Sequence, residues 1–472
     1  MKGGRLRDPD LLATAALGCV YLAVFSGHSY SIDGLLMYRQ AVSIAHDHSF
    51  RFSMPIWWGD SFPTSKYGIG LSLLYLPGVA LFSRFGSPPV PGGPGSYDWD
   101  LFYQDFVYRL GGAPVHLLIG LATAFLVARL VRELGGGQLT ALLALFGYGI
   151  ASPAIVYARG DFSQPLLGLC LTAGLLAAVR YRRSAGAGAL TAMAASLALG
   201  VLTRPVEGSF LLPALLYLCG TASSPEGSRR RRFTAVAGIA GAYLLALAVT
   251  GLVNWGRSGT PLATGYGGGW TTPLWIGLPG LLLSPGRSII LAFPLLLLAP
   301  LGLRRLLPTE HRPAALAIGG LVLALFLNNA LWSQWWGSWS WGPRLLIPAL
   351  PLLAVPAAIG AAALRPGLRV WLPGVLLLGG IAWAVPGTVT DLLVGYGAAH
   401  DSPGRSWALT AYPPLWLLVH GGVVDILWFR LARSSGYLTL LVPAALLGLA
   451  AFLALLVRRA AGAIPAAVRS SG

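Results

Sequence analysis

The chain has 472 residues, 55% of them hydrophobic and only 10% charged, with a mean hydropathy of +0.68. A soluble protein cannot hide that much apolar surface, so the composition predicts an all-α polytopic membrane protein. The net charge is +17 and 31 of the 33 basic residues are arginine, yet no basic block sits in a polar stretch able to fold alone, which argues against a nucleic-acid partner.

Apolar runs recur from end to end, so residues 1–472 read as a single transmembrane domain. With about 20 apolar residues per crossing, twelve runs stand out, at about 11–28, 112–131, 138–157, 163–180, 186–203, 208–220, 233–254, 286–303, 313–331, 345–364, 370–387 and 437–457. The first follows Lys2, Arg5 and Arg7 as a signal peptide would, but no small-residue cleavage pattern follows it and many more runs do. Cys19, Cys170 and Cys219 lie in apolar runs without metal or redox spacing and read as small core residues.

After the first run the sequence reads SYSIDGLLMYRQ, residues 29–40. From Asp33 on, Leu35, Tyr38, Ala41, Val42 and Ala45 share one helical face, and Arg39, Gln40, Ser43, His46 and Asp47 the other. This predicts an amphipathic juxtamembrane helix in a first outer loop, 29–111, lying along the membrane surface. Asp33 at its start is either an N-cap or a general base at the water–lipid boundary. His46 and His48 are two apart and point away from each other, so His46-Asp47-His48 reads as a polar helix end rather than a metal site. The segment 68–85 is apolar but broken by Gly68, Gly70, Pro77 and Gly78.

Charge sets the sides. With 68–85 as a non-crossing hairpin and the N-terminus inside, the inner connections carry 20 basic residues and the longer outer segments 13, as the positive-inside rule requires. Both ends then lie inside, and eleven of the 16 acidic residues fall outside. So do the unusual motifs. Arg159-Gly160-Asp161 ends a span, either as an anchor or as a second carboxylate beside a catalytic one. The segment 254–270, NWGRSGTPLATGYGGGW, predicts a loop, a flexible linker or a close backbone approach to a ligand. Leu283 to Ser288 opens a span with a turn and Arg287. Residues 332–344, WSQWWGSWSWGPR, hold five tryptophans, an interfacial belt or faces for a sugar, and end on an arginine fork suited to phosphate. The loop 388–436, with His400, Asp401, Arg405, His420, Asp425, Arg430 and Arg433, is either a cover or the place of acceptor choice.

The order of SIDGLLMYRQA (31–41), KYGIGLSLLYLPGVALF (66–82), YARGDFSQPLLGL (157–169), LTRPVEG (202–208), TPLATGYG (260–267), GLLLSPGRSIILAFPLLLL (280–298) and WWGSWSWGPRLLIPALPLL (335–353) resembles the GT-C membrane glycosyltransferases. Protein O-mannosyltransferases and aminoarabinose transferases belong to that group. The resemblance implies about twelve transmembrane helices and inverting transfer of a monosaccharide from a polyprenyl-phosphate donor to an acceptor hydroxyl. It implies Asp33 as general base and Asp161 as a second acid. Lys66, Arg287 and Arg344 would hold the donor phosphate, and Arg159, Arg204, Tyr266, Trp339 and Trp341 complete the substrate site. Gly34 stands where many relatives carry a second acid, which speaks against a divalent metal, and no other cofactor is implied. Lys66-Tyr67-Gly68 departs from the Lys-Pro-Pro of some relatives. The short segment after the last span, without a soluble C-terminal domain, argues against en bloc glycan transfer.

The expected partners are the lipid-linked sugar, membrane lipids and a lipid, glycan or protein acceptor. The expected place is a bacterial-type cytoplasmic membrane of the cell envelope, with the active site on its outer face. A lipid or glycan transporter would instead show inverted repeats and ionisable residues at mid-span. An O-antigen-ligase-like enzyme would use a diphosphate lipid.

Overall fold

The computed structural model describes residues 8–52, 54–55, 61–62, 64–85, 107–184, 186–221, 228–263, 265, 267–391, 396 and 399–469. Apart from a short antiparallel ladder between Met54–Pro55 and Ser61–Phe62, its regular structure is helical. The helices are α1 (Pro9–Ala23), α2 (Ile32–Asp47), α3 (Gly70–Phe82), α4 (Ala113–Glu133), α5 (Gln138–Gly149), α6 (Gln164–Ser184), α7 (Ala187–Thr203) and α8 (Leu211–Gly220). After them come α9 (Ser228–Ser258), α10 (Leu274–Leu283), α11 (Ala299–Leu306), α12 (Arg312–Leu331), α13 (Leu350–Ala362), α14 (Trp371–Val389), α15 (Leu427–Ser435) and α16 (Leu441–Arg469). Short helical turns connect several of them.

Seven helices among the described residues are long and apolar enough to cross a membrane, and six shorter ones are apolar. They account for every predicted run but one. The exception, 286–303, is split into Ile289–Ala292, a 3₁₀ turn Pro294–Leu298 and α11. Pro294 and Pro300 cause the split, because proline has no N–H for the helical ladder. The run 138–157 likewise breaks between Gly149 and Ala154, ahead of which Pro153 stands. Two features differ from the sequence reading. Asn254 to Ser258 continue α9 rather than opening a loop, and Leu274–Leu283 form a helix inside what reads as an outer segment.

Helix α3 has 13 residues, about 20 Å at 1.5 Å per residue, against a hydrocarbon core of about 30 Å. It packs on α2 and on the turn before α4, where Gly78 and Gly111 bring two backbones together: a Cβ on Gly78 would lie 2.3 Å from the Gly111 carbonyl oxygen. Tyr38, Tyr75 and Tyr108 stack edge-on across this junction. The predicted helix after Asp33 is present as α2, with His46 and Asp47 exposed, but Gln40 and Ser43 of its polar face are buried. Packed by α3 on one side, α2 is largely buried within the fold.

Around this core, α6 packs on α4 and α7, α7 on α9, and α1 on α16. Helices α11 and α13 meet backbone to backbone: a Cβ on Gly302 would lie 1.8 Å from the Pro356 oxygen, and one on Gly360 2.0 Å from the Leu298 oxygen. A carbonyl cannot swing aside as a side chain can. Gly360→Ala is therefore expected to cost about 3 kcal/mol by overpacking, read as a lower thermal midpoint in detergent micelles.

Candidate active site

The site is built on the start of α2. Ser31 is its N-cap: its hydroxyl accepts from the Gly34 N–H at 3.0 Å. That role belongs to Ser31 and not to Asp33, which sits one residue inside the helix, where the dipole favours an anion. Behind the cap lies Asp161, fully buried. Its carboxylate accepts from the Ser31 hydroxyl at 2.8 Å, from the Tyr30 and Ser31 N–H groups at 3.2 Å each, and from the Ser29 hydroxyl. Burial pushes its pKa up, against the downward pull of the Ser29 and Ser31 hydrogen bonds. A Cβ on Gly34 would lie 2.1 Å from this carboxyl group, so position 34 has no room for a side chain while Asp161 stands where it does.

Asp33 points to Arg344. The guanidinium Nη1 donates to Asp33 Oδ2 at 2.9 Å, with the two side chains 14% and 22% exposed. Arg344 also lies over the Phe162 ring, 4.9 Å from its centroid, and its Nε has no partner. The motif 332–344 delivers this arginine through a loop turned by positive φ at Gly337, Ser338 and Gly342. Gly342 is required on two counts, since a Cβ there would also sit 2.4 Å from Trp383. The tryptophans are no uniform belt. Trp335 and Trp341 are buried, while Trp339 is exposed. Trp341 packs on Trp383 and Tyr396 at 5.5 and 4.9 Å and leaves its Nε1 without a partner. With Tyr30, Val156, Tyr157, Gly160, Phe162, Gly387 and Thr390 it lines a small cavity.

Other basic residues of the sequence reading have different surroundings. Arg287 is fully buried. Its Nη1 donates to the Ser340 carbonyl at 2.7 Å, the Ser340 hydroxyl at 2.9 Å and the Gly342 carbonyl at 3.1 Å, and its Nη2 to the carbonyls of Ser338 and His400 at 3.0 and 3.3 Å. It is the staple of the Trp-rich loop. Arg204 donates to Glu207, whose other oxygen accepts from Asn329 at 3.1 Å; this trio ties the turn before α8 to α12. Arg159 is buried against Tyr30, Gly387 and Asp425. Lys66 lies over the Tyr67 ring at 5.4 Å and against Gly265. Next to it is a residue not singled out from the sequence, Arg257, which donates to the Tyr67 carbonyl at 2.8 Å and to Gln40 at 3.2 Å. Gln40 is seven residues after Asp33, about 10 Å farther along α2. In the sequence only the place of Gln40 on the polar face of this helix hints at that second basic position. Tyr266 lies outside the described residues, and no cluster of three metal-ligating side chains occurs among the described ones.

No family model and no curated protein matches the chain. Among solved structures, ArnT from Cupriavidus metallidurans in the apo state aligns with 96% of this chain and 77% of its own, at 18% identity and a TM-score of 0.52. ArnT bound to undecaprenyl phosphate aligns over the same shares, at 16% identity and a TM-score of 0.53. The chain has the fold of ArnT. The likeness is one of fold, a helical membrane-protein architecture as the apolar runs led one to expect. Gly34 tests the geometry of the site. Gly34→Ala is expected to displace the Asp161 carboxyl and lower the thermal midpoint. Combined with Asp161→Ala it should cost less than the sum of the two, by about 0.5–3 kcal/mol, measured by melting all three variants.

Proposed function

We propose that this protein is a membrane glycosyltransferase that moves a monosaccharide from a polyprenyl-phosphate carrier to an acceptor hydroxyl, with inversion, at the extracytoplasmic face of a bacterial-type cytoplasmic membrane. The observation that carries the reading is the Asp33–Arg344 pair, set beside an aromatic-lined cavity on the fold of a protein solved with undecaprenyl phosphate. A carboxylate and an arginine fork side by side are what such a transfer needs. Asp33 takes the proton as the acceptor oxygen bonds to the anomeric carbon. The bond from that carbon to the phosphate oxygen breaks, and the phosphate leaves with the electron pair, stabilised by cations.

Of Lys66, Arg287 and Arg344, Arg287 gives both terminal nitrogens to carbonyls, which leaves Lys66 and Arg344 for the phosphate. Arg344 gives one N–H to Asp33 and has an unpartnered Nε, so a single planar guanidinium can bridge base and phosphate. Lys66 with Arg257 forms a second basic position along α2. Asp161, closed off behind the cap, acts on the site through the loop 29–31 and does not touch the acceptor.

The test is transfer of labelled sugar from polyprenyl-phosphate donors in membranes. Asp33→Asn, which keeps shape and removes the base, is expected to lower the rate about 10²-fold or more. Full activity in that variant overturns the role of Asp33. Arg344→Lys keeps the charge but loses the fork, and a fall of about tenfold is expected from the lost bidentate geometry.

A further inference from the structure

Asp425 stands in the late loop that the sequence reading left between a cover and an acceptor-choosing segment. It is 4% exposed, and four side chains converge on its carboxylate. His28 Nε2 lies 2.9 Å from both oxygens, Arg430 Nη1 donates at 2.6 Å and Arg159 Nη2 at 3.2 Å, and the Tyr30 hydroxyl donates as well. Burial alone would raise its pKa; His28, Arg159 and Tyr30 outweigh it and hold the carboxyl well below the usual range. The backbone joins the same junction. The Asp425 N–H donates to Val389, the Asp391 N–H to Val423, and the Leu427 N–H to Phe25. Arg430 reaches the Ser26 carbonyl and Arg159 that of Gly387. The late loop thus grips the strand of chain between α1 and α2.

The grip leads to the candidate base through one residue. Tyr30 is held at both ends: its hydroxyl by Asp425 and its backbone N–H by Asp161. The next residue, Ser31, caps the helix that presents Asp33. Tyr30 and Thr390, the latter paired with Val424, also wall the cavity. We propose that Asp425 is a positioning residue: by fixing Tyr30 it sets the cap of α2 and the wall of the cavity, so that this part of the late loop serves the geometry of the site rather than the choice of acceptor. Its effect on transfer rests on the function proposed above; the grip itself does not.

The experiment uses the full chain in detergent or nanodiscs, with Asp425→Asn, Tyr30→Phe and the double variant. Amide hydrogen exchange over residues 28–35 is expected to quicken about tenfold or more in Asp425→Asn, with α12 unchanged, as local opening at one junction requires. Transfer at saturating donor is expected to fall about 10²-fold from misplacement of the base, with the donor KM within about twofold. Tyr30→Phe should give part of both effects, and the double variant no more than Asp425→Asn alone, because the two act in series. Should Asp425→Asn not fold, Tyr30→Phe still decides, since it leaves the buried charges paired. Unchanged exchange over 28–35 overturns the proposal, as do additive losses, or a changed acceptor preference at an unchanged rate. Absence of transfer by the unmodified chain with every polyprenyl-phosphate sugar would sink the function and leave the exchange measurement to decide the grip.

Discussion

A buried carboxylate holding three consecutive residues sets the geometry on which the rest depends. Asp161 has no cation within ion-pair distance among the described residues and is satisfied by hydroxyl and backbone donors of Ser29, Tyr30 and Ser31. An unpaired buried charge is costly, and hydrogen bonds to the charged form are what offset that cost. The payoff is rigidity at the start of α2: the cap is held from below, and Asp33 is presented in a fixed direction toward Arg344. Everything farther out, the Trp-rich loop, its Arg287 staple and the late loop, adjusts to that start.

Two arginines of similar sequence setting have opposite roles. Arg287 in Ser-Pro-Gly-Arg and Arg344 in Trp-Gly-Pro-Arg both end turns on the same predicted face. One gives both terminal nitrogens to carbonyls, most of them in the other's loop; the other gives a terminal nitrogen to a carboxylate. The buried one shapes the loop that delivers the partly exposed one. Such division is a common way to hold a site within the narrow tolerance that chemistry requires.

The spans were legible because lipid imposes one rule on all of them, a long apolar run, and that rule leaves its mark in composition. Motif order singled out Asp33 and Arg344, and the structure pairs them. What could not be read was direction. An arginine facing carbonyls and one facing a carboxylate can end similar Gly- and Pro-containing turns, so the partners of Arg287 and Arg344 were not legible in sequence. Ser31 and Asp33 both suit a helix start, and only the bond to Gly34 tells which one caps. Proline breaks such as Pro294 and Pro300 disturb hydropathy too little to reveal a split span. Asp425 sits in a polar loop of ordinary composition, and its burial depends on chain segments hundreds of residues away.

The pairing of Asp33 with Arg344 has a consequence for turnover. Empty, the two side chains neutralise one another. On the proposed function the donor is a phosphodiester, with one negative charge, whereas the spent carrier is a phosphomonoester, with about −1.5 to −2 at neutral pH. The product therefore competes for the guanidinium more strongly than the donor does. Asp33, once it has lost its proton again, is the anion nearest to hand for drawing Arg344 back and letting the carrier go. The residue that opens the reaction would also set the pace at which the enzyme is cleared for the next one.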